Sequence, residues 1–272
     1  MLIQRVYRHL DGIVRLAAGW SRWRRLERKI YCCLTVDLDE HGYRNAFARG
    51  CPFLLDLFAA NNLQGAITWF YNCNEKELAE HPFLLGEIKK RHDEVALHYH
   101  LENLPASTDT AEIYTRIRQG KAYVESLLDQ EIIGFRSGRF LRTSRILQAL
   151  GENGLKYDSS FTYGRQFTIH GHRMDDREIT GNQSVFRLPS GLLEFPVWEP
   201  FPAPRQISLT GPPYFITNLV HPFNFVWQGK TNHPVQHYYK TIVEIFRQIP
   251  AIEFITLGQA CHIWNQQSSN PS

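Results

Sequence analysis

The sequence lacks an apolar run that is long enough to cross a membrane. Its longest stretch without Asp, Glu, Lys or Arg, 206–229, is interrupted by Gly211 and by three prolines. The apolar stretch 13–20 is too short for the hydrophobic core of a signal peptide, and Arg15 interrupts it. We therefore predict a chain that neither spans a membrane nor carries an export signal, and we expect it in the cytoplasm.

Cysteine is scarce, and glycine-rich phosphate loops are absent. The cysteines are odd in number and form no CxxC pair, which excludes a disulfide framework and favours reduced thiols. Neither a GxGxxG nor a GxxxxGK(S/T) motif occurs, which argues against the nucleotide-binding doubly wound folds. The five cysteines are Cys32, Cys33, Cys51, Cys73 and Cys261.

The overall charge is small but unevenly distributed. The chain has 30 basic and 27 acidic side chains, and this net charge of +3 gives no reason to expect a nucleic-acid partner. Residues 1–30 hold eight of the basic side chains against only Asp11 and Glu27. Apolar residues near helical spacing predict a basic amphipathic helix at 1–29, which packs across one end of the domain or contacts anionic lipid.

Apolar, β-branched runs alternate with helical patterns through 30–265, which we interpret as one domain followed by a disordered tail at 266–272. This alternation is typical of a parallel α/β sheet, and about seven strands in about 240 residues approach the size of a (β/α) barrel. The predicted strands lie at 29–40, 65–72, 94–100, 132–138, 155–161, 192–198, 214–221 and 252–258. The predicted helices lie at 52–63, 75–91, 110–129, 143–152 and 235–247, and 162–187 is predicted as a polar loop or a small hairpin.

Ionisable side chains lie where four of the predicted strands end. In barrels of this kind, active sites gather at the C-terminal ends of several strands, so we expect these side chains to lie close together. Packing alone does not require charge at four such positions. The residues are Asp37 and Asp39, His98 and His100, Arg136, and His221.

The first two of these pairs predict a metal site. Asp37 and Asp39 point to one face of a strand, where two carboxylates repel each other unless a cation or a proton lies between them. One carboxylate can then bind a divalent metal while the other acts as a base. His98 and His100 share a face if the strand continues, whereas His98 and Glu102 are neighbours if the chain enters a helical turn. Imidazole and carboxylate are both ordinary zinc ligands, so the third ligand is His100 or Glu102.

The other two positions suit acid–base work. Arg136 lies in a loop flanked by glycine, where a guanidinium can pair with a carboxylate and keep it ionised. His221 precedes Pro222 at a strand end, and an imidazole there is suited to general acid catalysis near neutral pH.

From about 31 to about 264 the sequence resembles the polysaccharide deacetylases, the NodB-homology group of carbohydrate esterases. The most specific match is GFRSGRFLRTSRILQALGENGLKYDSS, and TVDLDE, HDEVALHYHLE, LLEFPVWEP and LVH correspond to the other family motifs. The resemblance implies an α/β fold, a deformed (β/α)7-type barrel. It also implies a metal-dependent hydrolase, with one divalent metal such as zinc, that removes N-acetyl or related acyl groups from a sugar.

The resemblance implies a role for each candidate residue. Asp37 corresponds to the general base that takes a proton from water, and Arg136 to the arginine that holds it. His221 corresponds to the acid that protonates the leaving amine. Asp39 and His98 correspond to metal ligands.

Two positions depart from the family pattern. The second metal-binding histidine of the family falls at Glu102, so either His100 through a changed backbone or Glu102 itself completes the ligand set. Gly138 and Arg139 replace the Pro-Tyr pair of the third motif, in the loop that offers a backbone N–H to the oxyanion. Trp198 corresponds to a residue that lines the acetyl pocket.

The sequence leaves three functions to compare. The first is a sugar N-deacetylase, whose cytoplasmic location suggests a lipid-linked or nucleotide-linked sugar in surface polysaccharide or lipopolysaccharide synthesis. The second is an amidohydrolase that acts on a non-sugar amide, because a fold does not determine a substrate. The third is a glycan-binding protein without catalysis. The complete set of acid, base and candidate ligands favours an enzyme.

Overall fold

The computed structural model describes residues 25–269, apart from 44, 75–76, 106–107, 181–182, 200, 203–205 and 209. The predicted N-terminal helix therefore lies outside the described residues up to residue 24, and residues 25–29 form turn and irregular chain. None of the helices in this described part is long and apolar enough to cross a lipid bilayer.

Fourteen strands occur among the described residues, and most of them match runs that the sequence predicts. They are β1 (Ile30–Asp37), β2 (Ile67–Asn72), β3 (Glu94–Tyr99), β4 (Gly134–Ser137), β5 (Tyr157–Asp158), β6 (Gln166–Ile169), β7 (His172–Asp175), β8 (Phe186–Arg187), β9 (Leu193–Glu194), β10 (Val197–Trp198), β11 (Tyr214–Val220), β12 (Val226–Trp227), β13 (Lys230–Thr231) and β14 (Ile252–Phe254).

Six α-helices separate or follow these strands in the described chain. They are α1 (Cys51–Ala60), α2 (Pro82–Lys90), α3 (Thr110–Leu128), α4 (Ser144–Glu152), α5 (His233–Arg247) and α6 (Leu257–Ser269). The helix predicted at 75–91 is divided into a 3-10 turn, Glu77–Glu80, and α2, which begins at Pro82 because a fixed φ suits the first turn. Helix α6 was not predicted, and it includes residues 266–269 of the expected disordered tail; residues 270–272 lie outside the described part.

The main sheet is parallel except at one end. Its order is β10-β11-β1-β2-β3-β4-β5-β9-β8, with β14 pairing beside the first half of β1, and only β8 runs antiparallel to its neighbour. The C-terminal ends of β1, β3, β4 and β11 therefore meet at one edge of the sheet. Beyond β5, Thr162 bridges to Val197 of β10, so the chain after β5 brings the two sides of the curled sheet together. The predicted α/β fold of the barrel type is confirmed.

The two faces of β1 show how the barrel is filled. Cys32, Leu34 and Val36 belong to the large outer core against the helices, whereas Cys33 belongs to a smaller inner core. Strands that are buried on both faces read as nearly continuous apolar runs, which explains the pattern of this segment. Helix α6 begins beneath the barrel, where the Gly258 N–H donates to a Glu94 carboxylate oxygen at 2.9 Å. The opposite end, where the strands finish, is left for polar side chains.

The polar segment 162–187 contains a small hairpin, one of the two forms that the sequence predicts. Strands β6 and β7 pair antiparallel around His170 and Gly171, whose positive φ angles of 46° and 82° fit a two-residue hairpin turn. His170 and His172 line a cavity of about 280 Å³ that Glu102 also borders. The hairpin therefore lies beside the strand-end face.

Candidate active site

The strand-end residues converge as the sequence predicts. Asp37 is the last residue of β1, and Arg136 pairs in register with His98 across β3 and β4. His221 follows β11, whose Val220 pairs with Val36 of β1. All of these side chains lie inside the curled sheet at its C-terminal end, so residues that are far apart in the sequence share one small volume.

Asp39, His98 and His100 form a compact, buried group with the geometry of a ligand set. His98 Nε2 lies 3.2 Å from Asp39 Oδ2, and His100 Nε2 lies 3.4 Å from the same oxygen. Ligand atoms on a tetrahedral zinc ion lie about 3.3 Å apart, given bonds of about 2.0–2.1 Å. Within the described chain, this is the one group of His, Cys, Asp or Glu side chains whose donor atoms lie close enough together to hold a metal ion. The residues present therefore fit a divalent cation.

The other ring nitrogen of each histidine has its own partner. His98 Nδ1 lies 2.8 Å from the carbonyl oxygen of Arg136, and His100 Nδ1 lies 2.5 Å from Glu102 Oε1. A proton on each Nδ1 satisfies these acceptors and leaves each Nε2 lone pair directed at Asp39, which is the arrangement of metal-binding histidines. Of the two candidates for a third ligand, His100 faces Asp39, whereas Glu102 lies behind the His100 ring.

The charges in this group stabilise one another. Burial opposes ionisation of Asp39, but His98, His100 and His41 outweigh it and lower the pKa of Asp39 far below its usual range. Burial also lowers the pKa of His100, yet hydrogen bonds to Asp39 and Glu102 raise it overall to about 10. A cation held between these side chains would likewise offset the negative charge of Asp39.

Asp37 is held by an arginine that is completely buried. Arg136 donates from one terminal nitrogen to Asp37 Oδ1 at 2.6 Å and to Thr35 Oγ at 2.8 Å. Its other nitrogens donate to the carbonyl and hydroxyl oxygens of Ser159 at 2.9 and 2.7 Å, and its Cζ lies 4.0 Å from the Phe70 ring centre. These contacts fix the guanidinium, which holds the buried side chain of Asp37 in one orientation.

His221 faces both carboxylates without a direct hydrogen bond to either. Its Nε2 lies 3.9 Å from Asp37 Oδ2 and 4.0 Å from Asp39 Oδ2. Its backbone N–H donates to the Asn224 side chain at 2.8 Å, and its ring stacks on Phe223. Burial lowers the pKa of His221, although Asp37 and Asp39 act in the opposite direction. A carboxyl group and an imidazole thus lie on either side of one space.

Gly138 and Arg139 form the wall beside His100. A Cβ on Gly138 would lie 2.4 Å from His100 Nδ1, so only glycine allows this close approach. Arg139 has a positive φ of 50° and a side chain that is 64% exposed, with its Nε 3.8 Å from Glu102 Oε1. The substituted loop therefore packs directly against the candidate ligands.

Trp198 lies apart from these groups. It pairs with Asn218, whose side chain accepts a hydrogen bond from Tyr239 of α5, so this register position faces the outer layer of helices. The indole stacks on Tyr163 with ring centres 3.9 Å apart. The expected role of Trp198 in an acetyl pocket therefore finds no support in its contacts, because the strand directs its side chain outward.

Two residues at the site were not singled out from the sequence. His41 Nε2 lies 3.1 Å from Asp39 Oδ2, and Asn72 donates to Asp39 Oδ1 at 2.5 Å. Asn72 ends β2, so the same strand-end criterion identifies it once amides are counted. His41 lies on a turn with φ of 47°, a backbone conformation that no simple residue pattern reveals.

Comparison with solved structures supports the fold. The chain is similar to a probable polysaccharide deacetylase from Pseudomonas aeruginosa, with a TM-score of 0.65 and 13% identity over 88% of this chain and 91% of that chain. The allantoinase PuuE gives a TM-score of 0.64 and 12% identity over 89% and 92% of the two chains. A CE4 family pseudoenzyme from Bacillus anthracis gives 0.51 and 11% identity over 86% and 66%.

These likenesses lie in three-dimensional structure alone. No family model and no curated protein matches the sequence. The chain has the fold of the polysaccharide deacetylases, in agreement with the resemblance of its motifs. Because that fold is shared by a deacetylase, an allantoinase and a pseudoenzyme, the function has to be argued from the side chains of the site.

Proposed function

We propose that the chain is a metal-dependent hydrolase that removes an N-acetyl or related acyl group from a sugar. The observation that supports this most strongly is the joint placement of a base held by arginine, a facing imidazole and a three-residue ligand set. Asp37 is fixed by Arg136 at 2.6 Å, and His221 lies across from it at 3.9 Å. A protein that only bound glycans would have no need to bury these charges together.

The protein side chains divide the work of amide hydrolysis. Asp39, His98 and His100 would hold a divalent cation, most simply zinc, which when bound acidifies water and polarises a carbonyl group. Asp37 accepts the proton of the attacking water, because Arg136 holds its side chain pointed into the space. His221 donates a proton to the departing nitrogen, since its Nε2 faces the same space as Asp37 from the other side. The backbone N–H groups beside Gly138 are candidates for the oxyanion contact.

The metal dependence is tested by elemental analysis of full-length protein that has been purified without chelator. We expect one equivalent of zinc or a similar metal in the wild type, and its loss in Asp39→Ala, His98→Ala and His100→Ala. Asp37→Asn is the matched control, because it should keep the metal while kcat falls by about 10²–10⁴-fold. A wild type that cannot be loaded with any divalent metal would overturn the proposal.

The substrate class is tested by acetate release from N-acetylated sugars alongside allantoin. A non-sugar amide is the second candidate, because the allantoinase PuuE has the same fold. A glycan-binding protein without catalysis is the third, since Gly138 and Arg139 alter the loop near the oxyanion position and a CE4 family pseudoenzyme shares the fold. Release of acetate from sugars, with no hydrolysis of allantoin, would support the sugar deacetylase.

We further propose that the reaction occurs in the cytoplasm at the inner membrane face, during synthesis of a surface glycan such as lipopolysaccharide. The eight basic side chains in 1–30 support this, because each basic residue near an anionic surface contributes about 1 kcal/mol of attraction. Flotation with anionic liposomes tests it. We expect the full chain to float, whereas a chain that begins at residue 29 stays at the bottom, and equal behaviour would refute the membrane contact.

A further inference from the structure

Two successive residues with a left-handed backbone follow Gly138. Arg139 has a φ of 50° and Phe140 has a φ of 60°, and neither of them is a glycine. Left-handed conformations are uncommon for residues other than glycine, and two in succession persist only where the surroundings hold them in place. The loop 138–140, which packs against His100, therefore depends for its shape on contacts from outside it.

Arg142 supplies such contacts. One terminal nitrogen of its guanidinium donates to the carbonyl oxygen of Phe140 at 3.2 Å and to that of Ser160 at 3.1 Å. Its Cζ lies 3.9 Å from the ring centre of Phe161, and only 9% of the residue is exposed. The guanidinium thus joins the strained loop to the segment of chain that follows β5.

The other terminal nitrogen of Arg142 pairs with the carboxylate of Asp176, which follows the β6–β7 hairpin. Asp176 is 1% exposed, and its second oxygen accepts hydrogen bonds from the Thr162 N–H at 2.9 Å and from the Thr162 hydroxyl at 3.0 Å. The Asp176 N–H also donates to the Arg165 carbonyl oxygen at 2.8 Å, across the base of the hairpin. The ion pair therefore connects the base of the hairpin to the loop beside His100.

Stability alone does not explain this buried ion pair, because apolar residues of similar volume are often as stabilising as two buried charges. A buried pair is better suited to selecting one arrangement of the segments that it joins. Neither Arg142 nor Asp176 belongs to the candidate metal ligands or to the candidate acid and base. What the pair joins is the hairpin and a loop that forms one wall of the candidate active site.

We propose that Arg142, held by Asp176, is a positioning residue that keeps the loop 138–140 in place at the candidate active site. This inference rests on the proposed function, in which backbone N–H groups beside Gly138 contact the oxyanion. A displacement of about 1 Å in such a contact can lower a rate about 100-fold, so a fixed loop matters for kcat more than for binding of the substrate. The β6–β7 hairpin thus supports the site although it contributes none of the candidate ligands.

The test compares Arg142→Met and Asp176→Asn with the wild type, as full-length proteins loaded with zinc. The reaction is acetate release from N-acetylglucosamine and its short oligomers. We expect Arg142→Met to lower kcat about 100-fold with KM unchanged, and Asp176→Asn to lower kcat in the same direction by less, because its amide still accepts from Thr162. Asp175→Asn is the matched control, since it removes an adjacent but exposed ion pair with Arg177 at 2.6 Å, and it should leave kcat unchanged.

Hydrogen exchange of the peptide that spans 137–142, measured by mass spectrometry, separates this inference from the proposed function. Faster exchange in both variants, without any turnover by the wild type, would support the hold of Arg142 on the loop and refute the hydrolase. Turnover by the wild type, with kcat and exchange unchanged in both variants, would support the hydrolase and overturn the inference. A lower melting temperature with unchanged kcat would show that the ion pair only stabilises the fold, and would also overturn the inference.

Discussion

Glu102 contacts the ring nitrogen of His100 that does not face Asp39. Its Oε1 lies 2.5 Å from Nδ1, whereas Nε2 of the same ring lies 3.4 Å from both Asp39 oxygens. A carboxylate in this position fixes the orientation of the imidazole and increases the basicity of the other nitrogen. Glu102 is therefore placed to act on the candidate metal site through His100, and the geometry favours His100 over Glu102 as the third ligand.

Glu102→Ala should weaken zinc binding about 10–100-fold without abolishing it, because a ligand loses its supporting partner while all three ligands remain. Glu102→Gln should lose less, since its amide oxygen still accepts the Nδ1 proton. The measurement is the zinc dissociation constant by competition with a chelating dye. Glu112→Gln, on the surface of α3, is the control; complete loss of metal in Glu102→Gln would instead mark Glu102 as a ligand.

Arg136→Met should cost about 3–5 kcal/mol in the free energy of unfolding, because Asp37 would remain buried without its partner. Arg116→Met is the matched control, since Arg116 and Glu112 form an ion pair at 2.7 Å on the surface. Removal of that exposed pair should cost about 0.5 kcal/mol. Urea denaturation of both variants checks the difference, and equal costs would contradict the buried role of Arg136.

Gly138→Ala should displace His100 and weaken zinc binding, because the added Cβ would lie 2.4 Å from Nδ1. Gly86→Ala, within α2, adds a Cβ that meets nothing within 4 Å and should stabilise the helix by about 0.5–1 kcal/mol. Zinc affinity and thermal melting are measured for both. Unchanged zinc affinity in Gly138→Ala would show that the loop can move away from His100.

Two buried acids, Asp158 and Glu194, lie side by side on paired strands, away from the candidate ligands. Among the described residues, no group donates to Asp158 Oδ2 or Glu194 Oε2, so a proton shared between the acids satisfies both oxygens. Burial raises the pKa of Asp158 to about 6, and burial together with Asp158 raises that of Glu194 well above its usual range. Ser160 links the pair to the Ser137 N–H, next to the loop at Gly138.

The folded protein thus binds protons that the unfolded chain releases, so stability should fall as pH rises from about 4 through the raised pKa values. One extra proton bound by the folded state changes the free energy of unfolding by at most about 1.4 kcal/mol per pH unit. Glu194→Gln keeps a donor for Asp158 without an ionisable proton, so its melting temperature should fall less than that of the wild type between about pH 5 and pH 8. Glu253→Gln, which removes the acid of an exposed ion pair, is the control and should match the wild type. If the melting temperature of Glu194→Gln falls with pH as steeply as that of the wild type, a shared proton is excluded.

Strand-end polarity was the most informative feature of the sequence. It predicts that the side chains of Asp37, Asp39, His98, Arg136 and His221 lie close together, as they do in the structure, because parallel strands bring their C-terminal ends to one edge of the sheet. The choice between His100 and Glu102 depends on how the chain turns after Tyr99, which the residue pattern leaves open.

Other features could not be predicted because they depend on contacts between residues that are distant in the sequence or on local backbone conformation. Trp198 was assigned by motif alone, and the face to which a two-residue strand directs its side chain depends on its pairing with Asn218. Helix α6 lacks acidic residues in its first turn, and its N-terminus is instead stabilised by Glu94, which is distant in the sequence. His41 reaches the site through a left-handed turn that no periodicity reveals.

The central position of β1 constrains how the protein is made. In β1, Ile30 pairs with Tyr214 on one side and with Ile252 on the other. The first strand of the sheet therefore cannot complete its pairing until the last third of the chain has been synthesised. Such high contact order predicts slow folding, and on the ribosome the edge of β1 stays open until those late segments emerge. An exposed apolar strand edge recruits other chains, so we expect nascent chains stalled before residue 214 to depend on chaperones.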